Sequence, residues 1–229
     1  MADVAKGLAR LHGFSIGFAD VSTSRQRPMT VPMAENPDRP HDVQLFDDVE
    51  SLGAGVATFV REELALGNCM LVVTSQQHWN AIESSLREHG TDVEACRASG
   101  MLVVADSGET LSRVVRCGRL DEASFTATVG AALDELAGRG DGLSVYGDMV
   151  DLLAAEGNLR GAIQLERLWN SLLSERAITL LCGYTASSFG HPRDAVALSE
   201  ICRLHNDVRS SPRDILGGFL VRSHTARRV

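Results

Sequence analysis

No apolar stretch in this chain approaches the roughly 20 residues that a bilayer-crossing helix needs. The first residues also lack the charged-then-apolar pattern of a secretory signal. A soluble, cytoplasmic protein is the expectation. Paired cysteines are missing too: Cys69, Cys96, Cys117, Cys182 and Cys202 are odd in number, scattered, and contain no CxxC. That spacing writes no disulfide framework, and thiols beside apolar runs pack as small hydrophobes, which suits a reducing compartment. Excess positive charge is absent. With a formal net charge of −8 and an isoelectric point near 5.3, the chain has the wrong sign for an affinity built on neutralising phosphates. Direct nucleic-acid binding is not expected.

What remains is ordinary globular composition. At 229 residues and 44% hydrophobic, the chain is long enough for one large core, and one domain is the simplest division. Residues 1–40 read as a flexible arm: Ser22 to Pro40 holds four prolines and almost no large apolar side chain, so ordering it gains too little buried surface. Val4, Leu8 and Leu11 have helical spacing, but that piece is too short for a helix-turn-helix domain. Residues 209–229 read as a short basic tail with Arg213, Arg222, Arg227 and Arg228.

Between these lies a regular alternation. Leu52, Val56, Phe59, Val60 and Leu64 recur at helical spacing over Ser51 to Ala65, and Gly67-Asn68 ends that helix. Cys69 to Thr74 is a short apolar run bounded by turn residues, the mark of a buried parallel strand. Helices follow at 79–88, 109–115, 122–137, 149–155, 159–175 and 194–206, with further strands at 101–105, 143–146 and 177–184. Strands alternating with helices predict a three-layer α/β/α fold around a mostly parallel sheet.

In such sheets ligands bind outside the carboxyl ends of the strands. After the first expected strand the chain reads Thr74-Ser75-Gln76-Gln77-His78, without the glycines that would curl around phosphates or the lysine that would neutralise them. ATP hydrolysis is therefore disfavoured. Ser75, His78 and the nearby acids form no known nucleophile motif, and no G-x-S-x-G occurs. The third strand runs into Tyr146-Gly147-Asp148-Met149, where Asp148 either contacts a ligand or caps the next helix. Glu166 falls on the apolar stripe of its helix with Ala162, Ile163, Trp169 and Leu173. A carboxylate so placed needs an arginine, backbone donors or a polar cavity. Cys202 and His205 share one helix face, and Cys182 with His41 could complete four metal ligands. Without a closely spaced cysteine pair that reading is not adopted, and no metal or cofactor is expected.

Several segments, taken in order, resemble one family. They are His41 with Leu45-Phe46, FVREELALGNCMLVV from Phe59, and Leu86 to Gly90 ahead of Asp92-Val93. YGDMVDLLAAEGN from Tyr146, AIQLERLWNSL from Ala162, LLCGY from Leu180 and ICRLH ending at His205 complete the set. Together they cover most of residues 41–208 and resemble the MEDS domain, a sensory module of methanogen and methylotroph regulators, including a dichloromethane dehalogenase regulator. The resemblance implies a fold related to RecA-like P-loop ATPases without the Walker A loop. It also implies non-catalytic sensing of simple hydrocarbon derivatives in prokaryotic signal transduction or transcriptional regulation. Carried over residue by residue, it marks Gly147, Asp148 and Met149, with Asp where Glu is commoner; Leu165, Glu166, Leu168 and Trp169; Cys182 and Tyr184; and His41 and His205. With Thr74, Ser75, Gln76 and Tyr146 from the strand ends, these are the expected ligand-binding residues. Relatives often carry a fused output domain. None follows here, so the expectation is a partner in trans, such as a kinase, anti-sigma factor or transcription regulator, with a homodimer left open. The alternatives are a pure protein-interaction module and a divergent ATP-binding protein.

Overall fold

The computed structural model describes residues 40–210. All but the last residue of the N-terminal arm and all but the first two residues of the basic tail lie outside the described residues.

The chain enters through strand β1 (His41–Phe46), where Val43 and Leu45 face one side of the sheet and Phe46 the other. Asp48 then starts helix α1 (Val49–Ala65) by a reciprocal cap: its carboxylate accepts from the Ser51 amide at 2.7 Å, and its own amide donates to the Ser51 hydroxyl at 3.1 Å. Strand β2 (Cys69–Thr74) is buried throughout, and Ser75 caps helix α2 (Gln76–Glu88). A short helix α3 (Val93–Ala98) leads to β3 (Leu102–Asp106) and α4 (Ser107–Val114). A two-stranded hairpin follows, β4 (Val115–Arg116) and β5 (Arg119–Leu120), turning at Cys117 and Gly118 with φ of 51° and 73°. Helix α5 (Glu122–Phe125) runs through a π turn (Thr126–Gly130) into α6 (Ala131–Leu136). Then come β6 (Leu143–Gly147), α7 (Met149–Ala155), α8 (Leu159–Glu175), β7 (Ile178–Thr185), two 3-10 turns, α9 (Ala195–Arg203) and β8 (Asp207–Ser210).

Six strands form one parallel sheet in the order β3-β2-β6-β7-β1-β8. Period-2 alternation sends neighbouring residues to opposite layers. Met70, Val72, Tyr146 and Leu181 pack under α1, α2 and α3, whereas Leu71, Val73, Val145, Leu180, Cys182 and Tyr184 pack under α7, α8 and α9. This is the three-layer α/β/α fold.

Two strands of the six-stranded sheet, and both strands of the hairpin, escape the sequence reading. The first strand is β1, not Cys69–Thr74, and it lies between β7 and β8 inside the sheet. Its His41, Asp42 and Gln44 hide it, because a buried strand is sought as a continuous apolar run. β8 runs from Asp207 to Ser210, and its Arg209 pairs with Asp42 of β1 at 2.7 Å. Helix α2 starts at Gln76 rather than Trp79, and α9 stops at Arg203, leaving His205 in the turn before β8. The helix expected at 122–137 is interrupted by the π turn.

Candidate functional site

The expected site residues separate into two groups. The first stands where β2 and β6 end. Asp148 occupies the position before α7, yet its side chain makes no capping bond. It is fully buried and instead accepts from the Thr74 hydroxyl at 2.5 Å and lies 2.7 Å from Nδ1 of His78. The hydrogen bond to Asp148 raises the His78 imidazole above its ordinary value, against partial burial, with the charges of Asp148 and Asp151 adding to it. Asp151, one turn into α7, accepts from the Thr185 amide and hydroxyl and from the Ser188 hydroxyl, at 3.0, 3.1 and 2.7 Å. Burial nonetheless pushes its carboxyl upward.

Four buried side-chain polar atoms among the described residues lack a hydrogen-bond partner, and three of them stand at the ends of β3 and β6: Ser107 Oγ, Tyr146 Oη and Asp148 Oδ1. Groups so buried cost free energy unless a partner answers them. Burial first, then the charges of Asp148 and Asp151, hold the Tyr146 phenol well above its ordinary range, so it stays an O–H donor. These unanswered atoms make the strand ends a candidate binding site for a small polar molecule.

The other expected residues of this region meet neighbouring protein groups. The Ser75 hydroxyl accepts from the His78 amide at 3.2 Å, and Gln76 lies exposed, donating to Asn80 at 2.8 Å. Met149 is core. Trp169 packs edge-on to Phe125 with ring centroids 5.3 Å apart, and a Cβ at Gly147 would touch it at 3.9 Å.

The second group lies inside, between the sheet and α8. His41, at the start of β1, and Cys182 and Tyr184, on β7, point to the same layer, where Glu166 projects from α8 and His205 from the turn after α9. Glu166 Oε1 accepts from the Tyr184 hydroxyl at 2.8 Å. Glu166 Oε2 is 3.3 Å from Cys182 Sγ, from His41 Nε2 and from His205 Nε2. Among the described residues no arginine or backbone donor answers this carboxylate; side chains from three other segments do. Burial raises its carboxyl, but the neighbouring His205 and His41 outweigh burial and hold it well below the usual carboxylate range. Burial, then His205, lowers the His41 imidazole; burial, then Glu166, raises the Cys182 thiol well above its usual value.

Cys202 is buried but is not among these neighbouring donors. Sequence reasoning left out Asn170, Asp151, Thr185 and Ser188, and named His78 only to set it aside. Asn170 stands four residues after Glu166 and Asp151 three after Asp148, so helical spacing carried that signal. Thr185 and Ser188 had none. A groove of about 550 Å³, lined by Thr58, Arg61, Glu62, His89 and Cys96 among others, holds none of the expected residues.

Residues 40–206 match the family described as MEDS, the MEthanogen/methylotroph, DcmR Sensory domain. The chain belongs to the MEDS family. No curated protein matches it. The MEDS match spans both groups of side chains, from His41 to His205, and assigns the domain to a class of sensory modules. None of its described helices is long and apolar enough to cross a membrane.

Proposed function

We propose that this MEDS domain is a non-catalytic sensor that binds a simple hydrocarbon derivative at the carboxyl ends of β2 and β6 and passes its state to a signalling partner. The observation that carries the reading is Asp148. Its carboxylate is wholly buried, holds Thr74 and His78 with one oxygen, and leaves the other unanswered, while the Tyr146 phenol, whose proton the charge of Asp148 helps to hold, is unanswered as well. An alcohol, or another small molecule with one donor and one acceptor, satisfies both. The relation to P-loop ATPases is read in the same way. The strand–helix turns after β1, β2 and β6 hold Asp47-Asp48, Ser75 and Asp148, where a phosphate loop needs glycines and a lysine. Three carboxylates repel a triphosphate.

Thermal melting against small alcohols, aldehydes, halocarbons and short acids, with Mg-ATP as control, tests this. A ligand at a hundred times its Kd adds roughly 2.7 kcal/mol, a rise of several degrees for a domain of this size. A rise with one organic class and none with Mg-ATP supports the sensor. A flat panel favours a module that only holds a protein partner.

A further inference from the structure

The inner group is built like a metal centre. His41 Nε2, Glu166 Oε2, Cys182 Sγ and His205 Nε2 all lie within 4.8 Å of one another, on side chains no more than 2% exposed. Three of the separations between these donors and Glu166 Oε2 are 3.3 Å, and so is that between His41 Nε2 and Cys182 Sγ. Ligands about 2.0 Å from a tetrahedral zinc ion stand about 3.3 Å apart along the edges of the tetrahedron.

The outer contacts fix which ring atoms face inward. His205 Nδ1 lies 2.7 Å from the Ile201 carbonyl, which only accepts, so Nδ1 carries the proton. His41 Nδ1 lies 2.9 Å from Asn170 Oδ1, and Asn170 is oriented by donating its amide to the Leu204 carbonyl at 3.0 Å. With Nδ1 donating outward, each ring in its neutral form turns an Nε2 lone pair toward Glu166 Oε2. For His205 that atom has no hydrogen-bond partner despite the 3.3 Å approach. Lone pairs converging on a carboxylate repel one another unless a cation lies between them. Metal-bound histidines are held in the same way, with the outer nitrogen donating to a carbonyl.

We propose that His41, Glu166, Cys182 and His205 bind one divalent transition-metal ion, zinc by ligand type, in a closed four-ligand site. Two neutral imidazoles, one thiolate and one carboxylate bring a charge of −2 to a dication, so no net charge is buried. Binding breaks the Cys182 S–H bond and forms a sulfur–metal bond; the proton leaves to solvent and no electron is transferred. Tyr184, Asn170 and the Ile201 carbonyl are the outer partners. The ion ties β1, α8, β7 and the turn before β8 together, and the site does not depend on the sensing proposal.

Elemental analysis of the purified full chain, followed by titration of the chelator-stripped protein with Co²⁺, tests it. The expected result is one equivalent of metal and a cobalt spectrum with a thiolate charge-transfer band and intense tetrahedral bands, displaced by Zn²⁺. Cys182→Ser removes the charge-transfer band, whereas Cys96→Ser with Cys117→Ser leaves it. Should Cys182→Ser not fold, Tyr184→Phe keeps all four ligands and lowers metal affinity roughly 10–100-fold by removing an outer partner. Absence of both co-purified metal and a saturable cobalt spectrum overturns the proposal. So does a spectrum that depends on Cys96 or Cys117, or an affinity unchanged in Tyr184→Phe.

Discussion

At the scale of the residue, burial decides what each polar group can do. His78 and Asp148 form a pair in which the imidazole is raised above its ordinary value near 6.5. The folded state then binds the proton more tightly than the unfolded chain. The stabilisation is fully present below the unfolded value and is lost as pH rises through the folded one. His78→Gln keeps a donor but does not titrate. In urea melts its stability deficit relative to wild type is therefore largest near pH 5.5 and shrinks toward pH 8.5; a pH-independent deficit contradicts the pairing.

Trp169 separates packing from binding. It is 1% exposed and meets Phe125 edge to face, so Trp169→Ala costs about 3–5 kcal/mol in the same melts. A loss under 1 kcal/mol would remove it from the core.

At the scale of the element, the close contact is between β6 and β7. A Cβ at Gly183 would overlap Tyr146 Oη on the neighbouring strand, so this glycine makes room for the phenol. Gly183→Ala is expected to cost about 1–3 kcal/mol by overpacking. Tyr146→Phe, which removes a buried hydroxyl without a partner, is expected to be nearly neutral. The double variant should lose less than the sum of the single changes, and strict additivity contradicts the contact.

The helices show which signals survive in a sequence. Helices α7 and α8 fall on the residues that spacing and flanking turns predict, because each buries a clear apolar stripe. Strand β1 does not, since its polar residues answer partners far along the chain: His41 meets Glu166 and Asp42 meets Arg209. Strand β8 is four residues long and carries two charges. The site divides in the same way. Asp148 and Glu166 were visible as acids at a strand end and on an apolar face. Their division into a strand-end group and an inner group depends on sheet order and facing, which local periodicity does not encode.

At the scale of the whole molecule, the two groups have different tasks. The inner cluster joins residues 41, 166, 182 and 205, and so closes the domain from its first strand to its last turn. The strand-end group faces the edge where parallel sheets receive ligands. The sensing account is tested most directly by backbone and side-chain NMR of the domain with the compound that raises its melting temperature. Shifts are predicted to concentrate at Thr74, His78, Tyr146 and Asp148, to vanish in Asp148→Asn, and to leave the compound chemically unchanged after long incubation. Shifts confined to the groove of Thr58, Arg61 and His89, or the appearance of a product, would contradict it.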